Sequence, residues 1–239
     1  MCRMILAAGR FDAADLLTAA VAMSCGETAD HDNATVRHAH GWGAVWRDAG
    51  SGEVRCHRDV RPAWKGIPDS PLGELKTDFL AVHVRNATLP DKQGLPFTHP
   101  LTRAADDWHF MHNGYMPTVH QLLGMARSEF DSAEYFDYLI PPGTTALSED
   151  VMIARLQAVP PGGSTSGNAI AVHRSGAAVV HWSPRDTPTP RFFTLFEFAT
   201  PEVRVISSER APSLAEPPQW QELAPGLALI IPFPTGETD

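Results

Sequence analysis

The sequence predicts an α+β fold in which helices pack outside antiparallel sheets. Short apolar runs separated by turn residues are typical of strands, and they occupy both ends of the chain, whereas helical spacing is confined to one early segment and the middle. Twenty-one prolines and 18 glycines supply the many turns that such a fold needs. The 239 residues are 43% hydrophobic and 20% charged, which is a globular composition.

Charge and length exclude several classes of protein. Nineteen basic against 28 acidic residues give a formal charge of -9, which argues against nucleic acid or an anionic membrane surface as the main partner. No run approaches the roughly 20 apolar residues of a membrane span, and the first residues lack the pattern of a secretory signal. We expect a single domain over residues 1–239.

The cysteines indicate a reducing compartment and do not indicate a disulfide or zinc framework. Cys2, Cys25 and Cys56 are odd in number and have no CxxC spacing, so they predict neither a disulfide scaffold nor a zinc ribbon. A reducing cytoplasm is the simplest setting for them.

The first third of the chain predicts one helix among strands. Residues 2–8 form an apolar run typical of a buried strand, and Asp12 is a suitable N-cap for a helix that extends to about Met23. A hairpin is predicted over residues 41–57, with its turn at Gly50-Ser51-Gly52. Residues 78–85 then predict a further strand.

The middle of the chain predicts one strand followed by three helices. Residues 108–112 form the strand, and the turn dipeptide Asn113-Gly114 is expected to end it. The helices are predicted at 117–127, at 132–140, and from a Ser148 cap to about residue 158.

The last third predicts strands again. Residues 169–173 and 177–182 flank a tight turn and predict a hairpin. Further strands are predicted at residues 191–198, 203–207 and 227–231. Residues 235–239 are expected to fray.

Cys2 is the first candidate catalytic residue. Removal of Met1 would leave a cysteine with a free α-amine, whose reference pKa is about 7.7–8.0. Such an amine is partly neutral near pH 7.5 and accepts a proton, so thiol nucleophile and base would share one residue. The alternative is a small residue at the start of a strand with no catalytic role.

Two other features have both a structural and a functional interpretation. Asn113-Gly114 is either a simple turn or a pair of donors, side-chain amide and backbone N–H, that form an oxyanion hole. Arg85 ends a half-buried strand and must pair with something there. Its partner is either a carboxylate of the protein or the α-carboxylate of a substrate, which the guanidinium fork suits.

Five ordered segments together resemble the class II glutamine amidotransferases, which belong to the N-terminal nucleophile hydrolases, and most closely their short stand-alone members. These segments are residues 1–5, 37–43, 83–88, 98–100 and 110–114. The resemblance runs over most of the chain. It implies a four-layer αββα sandwich with two antiparallel sheets.

The resemblance also implies roles for individual residues. Cys2 would be the nucleophile, and Asn113 with Gly114 would form the oxyanion hole. Arg85 would hold the α-carboxylate of glutamine. Thr88 and His99 would line the glutamine site, and Arg37 would lie near the nucleophile.

The sequence departs from the family at the α-ammonium site. Family members place an Asp two residues before a Glu at a helix start, whereas here Asp131 is three residues before Glu134 and Ser132 takes the expected place. Either the helix begins so that Asp131 still reaches the substrate, or ammonium recognition is altered. The second option favours a substrate other than free glutamine.

The implied function is cleavage of a γ-amide through a γ-glutamyl thioester on Cys2, without a cofactor or metal. The substrate is either glutamine, with a separate synthase subunit to receive ammonia, or a γ-glutamyl amide in a biosynthetic intermediate, as in the ergothioneine-pathway hydrolases that the chain also resembles. A catalytically silent module of the same fold, which binds an amino-acid-like ligand or a protein, is the alternative. A metal site in the loop with His31, Asp32, His38 and His40 is a weaker one.

Overall fold

The computed structural model describes residues 1–160 and 162–233, and the tail predicted to fray at 235–239 lies outside them. It contains two antiparallel sheets. The strands are β1 (Cys2–Gly9), β2 (Trp42–Arg47), β3 (Val54–Asp59), β4 (Phe79–Arg85), β5 (Leu101–Arg103), β6 (Trp108–Tyr115), β7 (Ser166–His173), β8 (Gly176–His181), β9 (Phe196–Ala199), β10 (Val203–Ser207), β11 (Gln221–Glu222) and β12 (Leu227–Pro232). The helices are α1 (Ala13–Cys25), α2 (Ala63–Gly66), α3 (Val119–Leu122), α4 (Asp131–Leu139), α5 (Glu149–Gln157) and α6 (Pro190–Phe193).

The two sheets form the middle layers of a sandwich. The first has seven strands in the order β11-β9-β10-β1-β4-β2-β3, and the second has five in the order β12-β8-β7-β6-β5. Helix α1 packs on the outer face of the first sheet, and α4 and α5 pack on the outer face of the second. The predicted αββα sandwich with two antiparallel sheets is therefore confirmed.

Strict alternation along the strands separates three apolar layers. On β1, Ile5 and Ala7 face α1, whereas Met4 and Leu6 face the second sheet. The central layer between the sheets is closed from the other side by residues such as Met111 of β6. Successive side chains of a strand point to opposite faces, so the register of β1 decides which residues enter the central layer.

Helix α1 has the predicted start and a glycine stop. The Asp12 carboxylate accepts a hydrogen bond from the backbone N–H of Ala14 at 2.8 Å, which satisfies one of the free donors at the helix N-terminus. Gly26 ends the helix in the left-handed conformation, with φ of 80°. The helix is two residues longer than its predicted end at Met23.

Three predicted boundaries are wrong for identifiable reasons. Asn113 and Gly114 do not form a turn: they continue β6 to Tyr115, because β7 supplies pairing partners for them at residues 168 and 167. The helix predicted at 117–127 is only one turn, α3, and the left-handed Gly124 follows it (φ 64°). The predicted strand 191–198 divides into α6 and β9.

Other differences are small. The strands β5 and β11 and the short helix α2 were not predicted. Helix α5 follows Ser148 as predicted, but the Ser148 hydroxyl makes no capping hydrogen bond. No helix in the described part of the chain is long and apolar enough to cross a membrane.

Gly43 provides a test of the packing between β2 and the segment that carries His99. A Cβ at this position would lie 2.2 Å from the carbonyl oxygen of His99 and 2.7 Å from that of His57. Because these contacts are with backbone, we expect Gly43→Ala to lower the free energy of unfolding by about 1–3 kcal/mol. Chemical denaturation measures this change in the free energy of unfolding.

The matched control is Gly73→Ala, because a Cβ there meets nothing within 4 Å. Equal stability of the two variants would contradict the close approach at Gly43.

Candidate active site

The pairing of β1 with β4 brings the first two predicted site residues together. Cys2 lies opposite Arg85 in this antiparallel pair, and Met4 lies opposite His83. Since Met4 faces the central layer, Cys2, His83 and Arg85 share that face by the two-residue alternation. They therefore lie at the end of the central layer, where the first sheet faces β6.

The side chain of Asn113 reaches Cys2 from the other sheet. Met111 of β6 faces the central layer, and Asn113 follows it on the same face. The backbone N–H of Cys2 donates to Asn113 Oδ1 at 3.0 Å. This contact fixes the orientation of the amide, and its Nδ2 is buried without a hydrogen-bond partner in residues 1–160 and 162–233. A buried donor without a partner is costly, and a substrate oxyanion would satisfy it.

Gly114 is required by the approach of β7. A Cβ at this position would lie 1.8 Å from the carbonyl oxygen of Ser166, so no other residue fits without moving the strand. Gly114 itself also lines the cavity, next to Asn113 in the chain.

A cavity of about 370 Å³ opens at this end of the central layer. Its deeper wall includes Cys2, Arg85, His99, His112, Gly114 and Asp131. Its mouth is formed by Thr88, Leu89, Lys92, Tyr115, Arg127 and Glu129. The volume lies within the range of small-molecule sites, about 300–1,000 Å³.

The surroundings of Cys2 favour the thiolate form of its side chain. Burial acts to raise its pKa, but the adjacent His83 ring, together with the N-terminal ammonium and Arg85, outweighs this effect. The result is a pKa of about 6, against about 8.5 for a free cysteine. His83 Nε2 donates to the carbonyl of His112 at 3.1 Å, which holds the ring in place.

Arg85 is a buried cation at the cavity wall. Its side chain is 5% exposed, and its Nη1 has no hydrogen-bond partner among the described residues. The same residues contain no carboxylate within 4 Å of the guanidinium. Burial lowers the pKa of Arg85, and the nearby Cys2 and Asp131 act against that effect. An uncompensated buried guanidinium suits a carboxylate ligand, which it binds through two parallel hydrogen bonds.

Asp131 is the first residue of α4, and it lines the cavity. Its Oδ2 accepts from the backbone N–H of Met116 at 2.8 Å, which orients the carboxylate. Ser132 also lines the cavity, but its hydroxyl is hydrogen-bonded to His112 Nδ1 at 2.9 Å. Asp131 and Ser132 are the two candidate positions for ammonium binding. Of these, Asp131 is the one that brings a carboxylate to the cavity wall.

The other histidines of the wall are neutral. Burial holds the pKa of His99 well below its usual range, and it also lowers the pKa of His112. The His99 ring lies between His83, at 4.4 Å between centroids, and Phe130, at 5.6 Å. His99 therefore contributes shape and polar ring edges to the pocket but no charge.

Not every predicted residue enters the cavity. Arg37 is exposed on the loop before β2 and does not line the cavity. The histidines of that loop have separate partners: His31 lies 3.5 Å from Glu209, His38 contacts the carbonyl of Met1, and His40 Nδ1 accepts from the N–H of Ala87. No group of three or more His, Cys, Asp or Glu in the described ranges has the arrangement of a metal site.

Sequence reasoning missed several residues of the site. His83 is two residues before Arg85 on a strand, so the alternation that places Arg85 at the site also places His83 there. Tyr115 is two residues beyond Asn113 on the strand that was predicted to end earlier. Nothing in the local sequence of Lys92, Arg127 or Phe130 indicates that tertiary packing brings them to the same cavity.

A four-layer αββα sandwich with two antiparallel sheets is the fold type of the N-terminal nucleophile hydrolases. A family model described as "Glutamine amidotransferases class-II" matches residues 14–132. The chain belongs to the class II glutamine amidotransferases. This is a family of enzymes, and the predicted resemblance is confirmed.

Solved structures agree on the fold. A glutamine phosphoribosylpyrophosphate amidotransferase from B. subtilis is 17% identical, with a TM-score of 0.65. A structure described as the allosteric regulatory enzyme of purine biosynthesis is also 17% identical, with a TM-score of 0.67. The match covers 97% of this chain in both cases but only 47% of theirs, so this chain spans about half their length.

A shorter protein matches along nearly its whole length. The glutamine aminotransferase class-II domain protein from Silicibacter pomeroyi is 16% identical, with a TM-score of 0.58, and the match covers 97% of this chain and 95% of that one. No match was found among curated protein sequences.

The lowered thiol pKa predicts a specific pH profile. Alkylation of Cys2 by iodoacetamide, followed by peptide mass mapping between pH 5 and 9, should be half-maximal near pH 6. Because His83 favours the thiolate, His83→Gln should move this midpoint to higher pH, while its amide can still donate to the carbonyl of His112.

His109→Gln is the control, since His109 is a buried histidine of β6 that lies outside the cavity lining. An unchanged midpoint in His83→Gln, or a native midpoint at pH 8 or above, would contradict this account. Failure of Cys2 to react at any pH would instead favour the silent module.

Proposed function

We propose that this protein hydrolyses the γ-amide of a glutamine-like substrate through a γ-glutamyl thioester on Cys2. The observation that carries the proposal is the convergence on one cavity of a thiol with a lowered pKa, an unpaired buried guanidinium and a carboxylate: Cys2, Arg85 and Asp131. Membership of the class II glutamine amidotransferases supports the same chemistry.

The amino-acid end of the substrate binds at the deeper wall. Arg85 takes the α-carboxylate through its unpaired guanidinium, and Asp131 takes the α-ammonium. His99 contributes to the same wall, and Thr88 lines the site from the mouth. With both ends of the amino acid held, the γ-carbonyl is directed at Cys2, and such orientation is worth several kcal/mol of the barrier.

Catalysis follows from the groups around Cys2. After Met1 is removed, the thiol proton passes to the α-amine, and the sulfur adds to the γ-carbonyl carbon. Asn113 Nδ2 and the Gly114 N–H hold the oxyanion. The α-ammonium then gives its proton to the leaving nitrogen, the C–N bond breaks, and the thioester remains. Water adds to the thioester as the amine accepts a proton, and glutamate is released with the thiol restored.

The mouth of the cavity favours a γ-glutamyl amide larger than glutamine. The lining that includes Cys2 also includes Tyr115, Arg127 and exposed Leu89, which offers polar and apolar contacts to a leaving group. A glutaminase that passes ammonia to a separate synthase subunit is the other variant. We place either reaction in the cytoplasm and in a single domain, as the sequence predicts.

The decisive experiment measures glutamate release from glutamine and from a panel of γ-glutamyl amides. Intact-mass analysis first establishes whether Met1 has been removed. Cys2→Ala should abolish release from every compound, because no nucleophile remains. Cys56→Ala is the matched control, since Cys56 is an exposed thiol outside the cavity lining, and it should keep full activity.

Turnover by Cys2→Ala would overturn the proposal, and so would activity in a protein that retains Met1. Absence of turnover of the entire panel by the native enzyme with Met1 removed would favour the ligand-binding module.

A substitution of Arg127 tests whether the substrate is glutamine or a larger γ-glutamyl amide. Its guanidinium donates to the Tyr115 hydroxyl at the mouth of the cavity, away from the deeper wall that holds Cys2. If the leaving group extends to this mouth, Arg127→Ala should raise KM for the larger γ-glutamyl amides by roughly 10-fold, about 1.4 kcal/mol, and leave glutamine unchanged.

Steady-state kinetics on both substrates measure this difference. Arg174→Ala is the control, since this arginine lies in the β7–β8 turn outside the cavity lining. Equal effects of Arg127→Ala on glutamine and on the larger amides would contradict a leaving-group role.

A further inference from the structure

The carbonyl oxygen of Met1 is held by two groups beside the nucleophile. It lies 3.1 Å from His38 Nδ1 and accepts from the backbone N–H of Asn86, also at 3.1 Å. This oxygen belongs to the peptide bond that must break to release the Cys2 amine. Standard peptide geometry places it about 2.3 Å from the Cys2 nitrogen. His38 is therefore within one water of the amine that the mechanism uses as its base.

His38 is built into the fold at this position. Its side chain is fully buried, and its backbone N–H donates to the carbonyl of Ser24 at 2.9 Å. The titratable groups that face it are Arg3, His83 and the N-terminal amine. Burial, Arg3 and the N-terminal amine lower the pKa of His38 to about 2, so the ring is neutral. Its Nδ1 donates to the Met1 carbonyl, and its Nε2 has no hydrogen-bond partner among the described residues.

His38 has no part in the steps of the proposed reaction, although it lies beside the reacting residue. The Cys2 nitrogen already has one fixed contact, the hydrogen bond to Asn113 Oδ1. Removal of Met1 breaks the peptide bond between the Met1 carbonyl carbon and the Cys2 nitrogen, and an N–H bond takes its place in the mature chain. That N–H bond points to the place where His38 Nδ1 and the Asn86 N–H converge.

We propose that His38 positions the α-amine of mature Cys2 through one water held close to the place of the Met1 carbonyl oxygen, at hydrogen-bond distance from the amine. Once the Met1 carbonyl is gone, the neutral ring carries its proton on Nε2 instead of Nδ1. The water then accepts from the amine and from the Asn86 N–H, and donates to His38 Nδ1. Two N–H bonds of the amine are then fixed, one on Asn113 and one on this water. The remaining tetrahedral position holds the lone pair, or in the ammonium the proton that is given to the leaving nitrogen.

The inference rests on the proposed function, because it assigns the geometry of the base in that reaction. His38 touches neither substrate nor the reacting atoms, so it is a positioning residue. Loss of an orienting contact should reduce kcat more than it changes KM, because the substrate is bound by Arg85 and Asp131.

The test compares three variants of similar packing. His38→Leu removes the acceptor, whereas His38→Asn keeps an amide oxygen near the position of Nδ1. His173→Asn is the control, a buried histidine whose Nδ1 contacts Ser175 outside the cavity. Each protein is made with a cleavable N-terminal fusion whose protease leaves Cys2 first, and intact mass and thermal unfolding verify it.

Two measurements decide the outcome. With a γ-glutamyl amide that the native enzyme cleaves, kcat should fall roughly 10- to 100-fold in His38→Leu, with KM little changed, and should recover in large part in His38→Asn. The pH dependence of α-amine carbamoylation by cyanate, followed by mass, reports on the amine without turnover. Since a lost acceptor destabilises the ammonium, the midpoint should move to lower pH in His38→Leu but not in His38→Asn or His173→Asn.

An unchanged kcat and carbamoylation midpoint in His38→Leu would overturn the role of His38, and so would a His38→Asn variant that behaves like His38→Leu. If the native enzyme cleaves no γ-glutamyl amide, the proposed function fails, but the carbamoylation midpoints still decide whether His38 contacts the amine.

Discussion

The site depends on one hydrogen bond between the two sheets, from the backbone N–H of Cys2 to Asn113 Oδ1. Cys2 belongs to β1 of the first sheet and Asn113 to β6 of the second, so this bond fixes the separation of the sheets at the end of the central layer. The same bond orients the Asn113 amide and leaves its Nδ2 available to an oxyanion. Pairing of Cys2 with Arg85 across β1 and β4 then sets the distance from the sulfur to the cation.

The charges at the site differ from those of the chain as a whole. The protein carries a formal charge of -9, yet the cavity lining holds three basic side chains, Arg85, Lys92 and Arg127, against two acidic ones, Asp131 and Glu129. Burial keeps His99 and His112 neutral, so they do not add to this positive field. An amino acid with an exposed α-carboxylate is attracted by such a field, and a low-dielectric wall strengthens the attraction.

The local patterns of the sequence predicted most strands and the first helix, because apolar alternation, an N-cap and a glycine stop are encoded within a few residues. The predicted turn at Asn113-Gly114 was wrong because a dipeptide preference is worth little against pairing with β7, a partner more than 50 residues away. The helix at 117–127 was overestimated because apolar spacing does not reveal that Gly124 adopts a left-handed conformation. The family resemblance implied that Arg37 lies near the nucleophile, but Arg37 is exposed on the loop before β2 and does not line the cavity.

The start of α4 shows how a one-residue shift from the family pattern can be absorbed. Helix α4 begins at Asp131, so the carboxylate occupies the first helical position, where its Oδ2 caps the N–H of Met116. Ser132 turns to His112, a residue on the opposite face of β6 from Asn113, and thereby joins α4 to the strand that carries the oxyanion-hole candidates. In this arrangement the serine ties the helix to the sheet and the aspartate faces the cavity. A sequence alignment that requires a fixed spacing to Glu134 would not recover this division of roles, because the position of the helix start is set by tertiary packing.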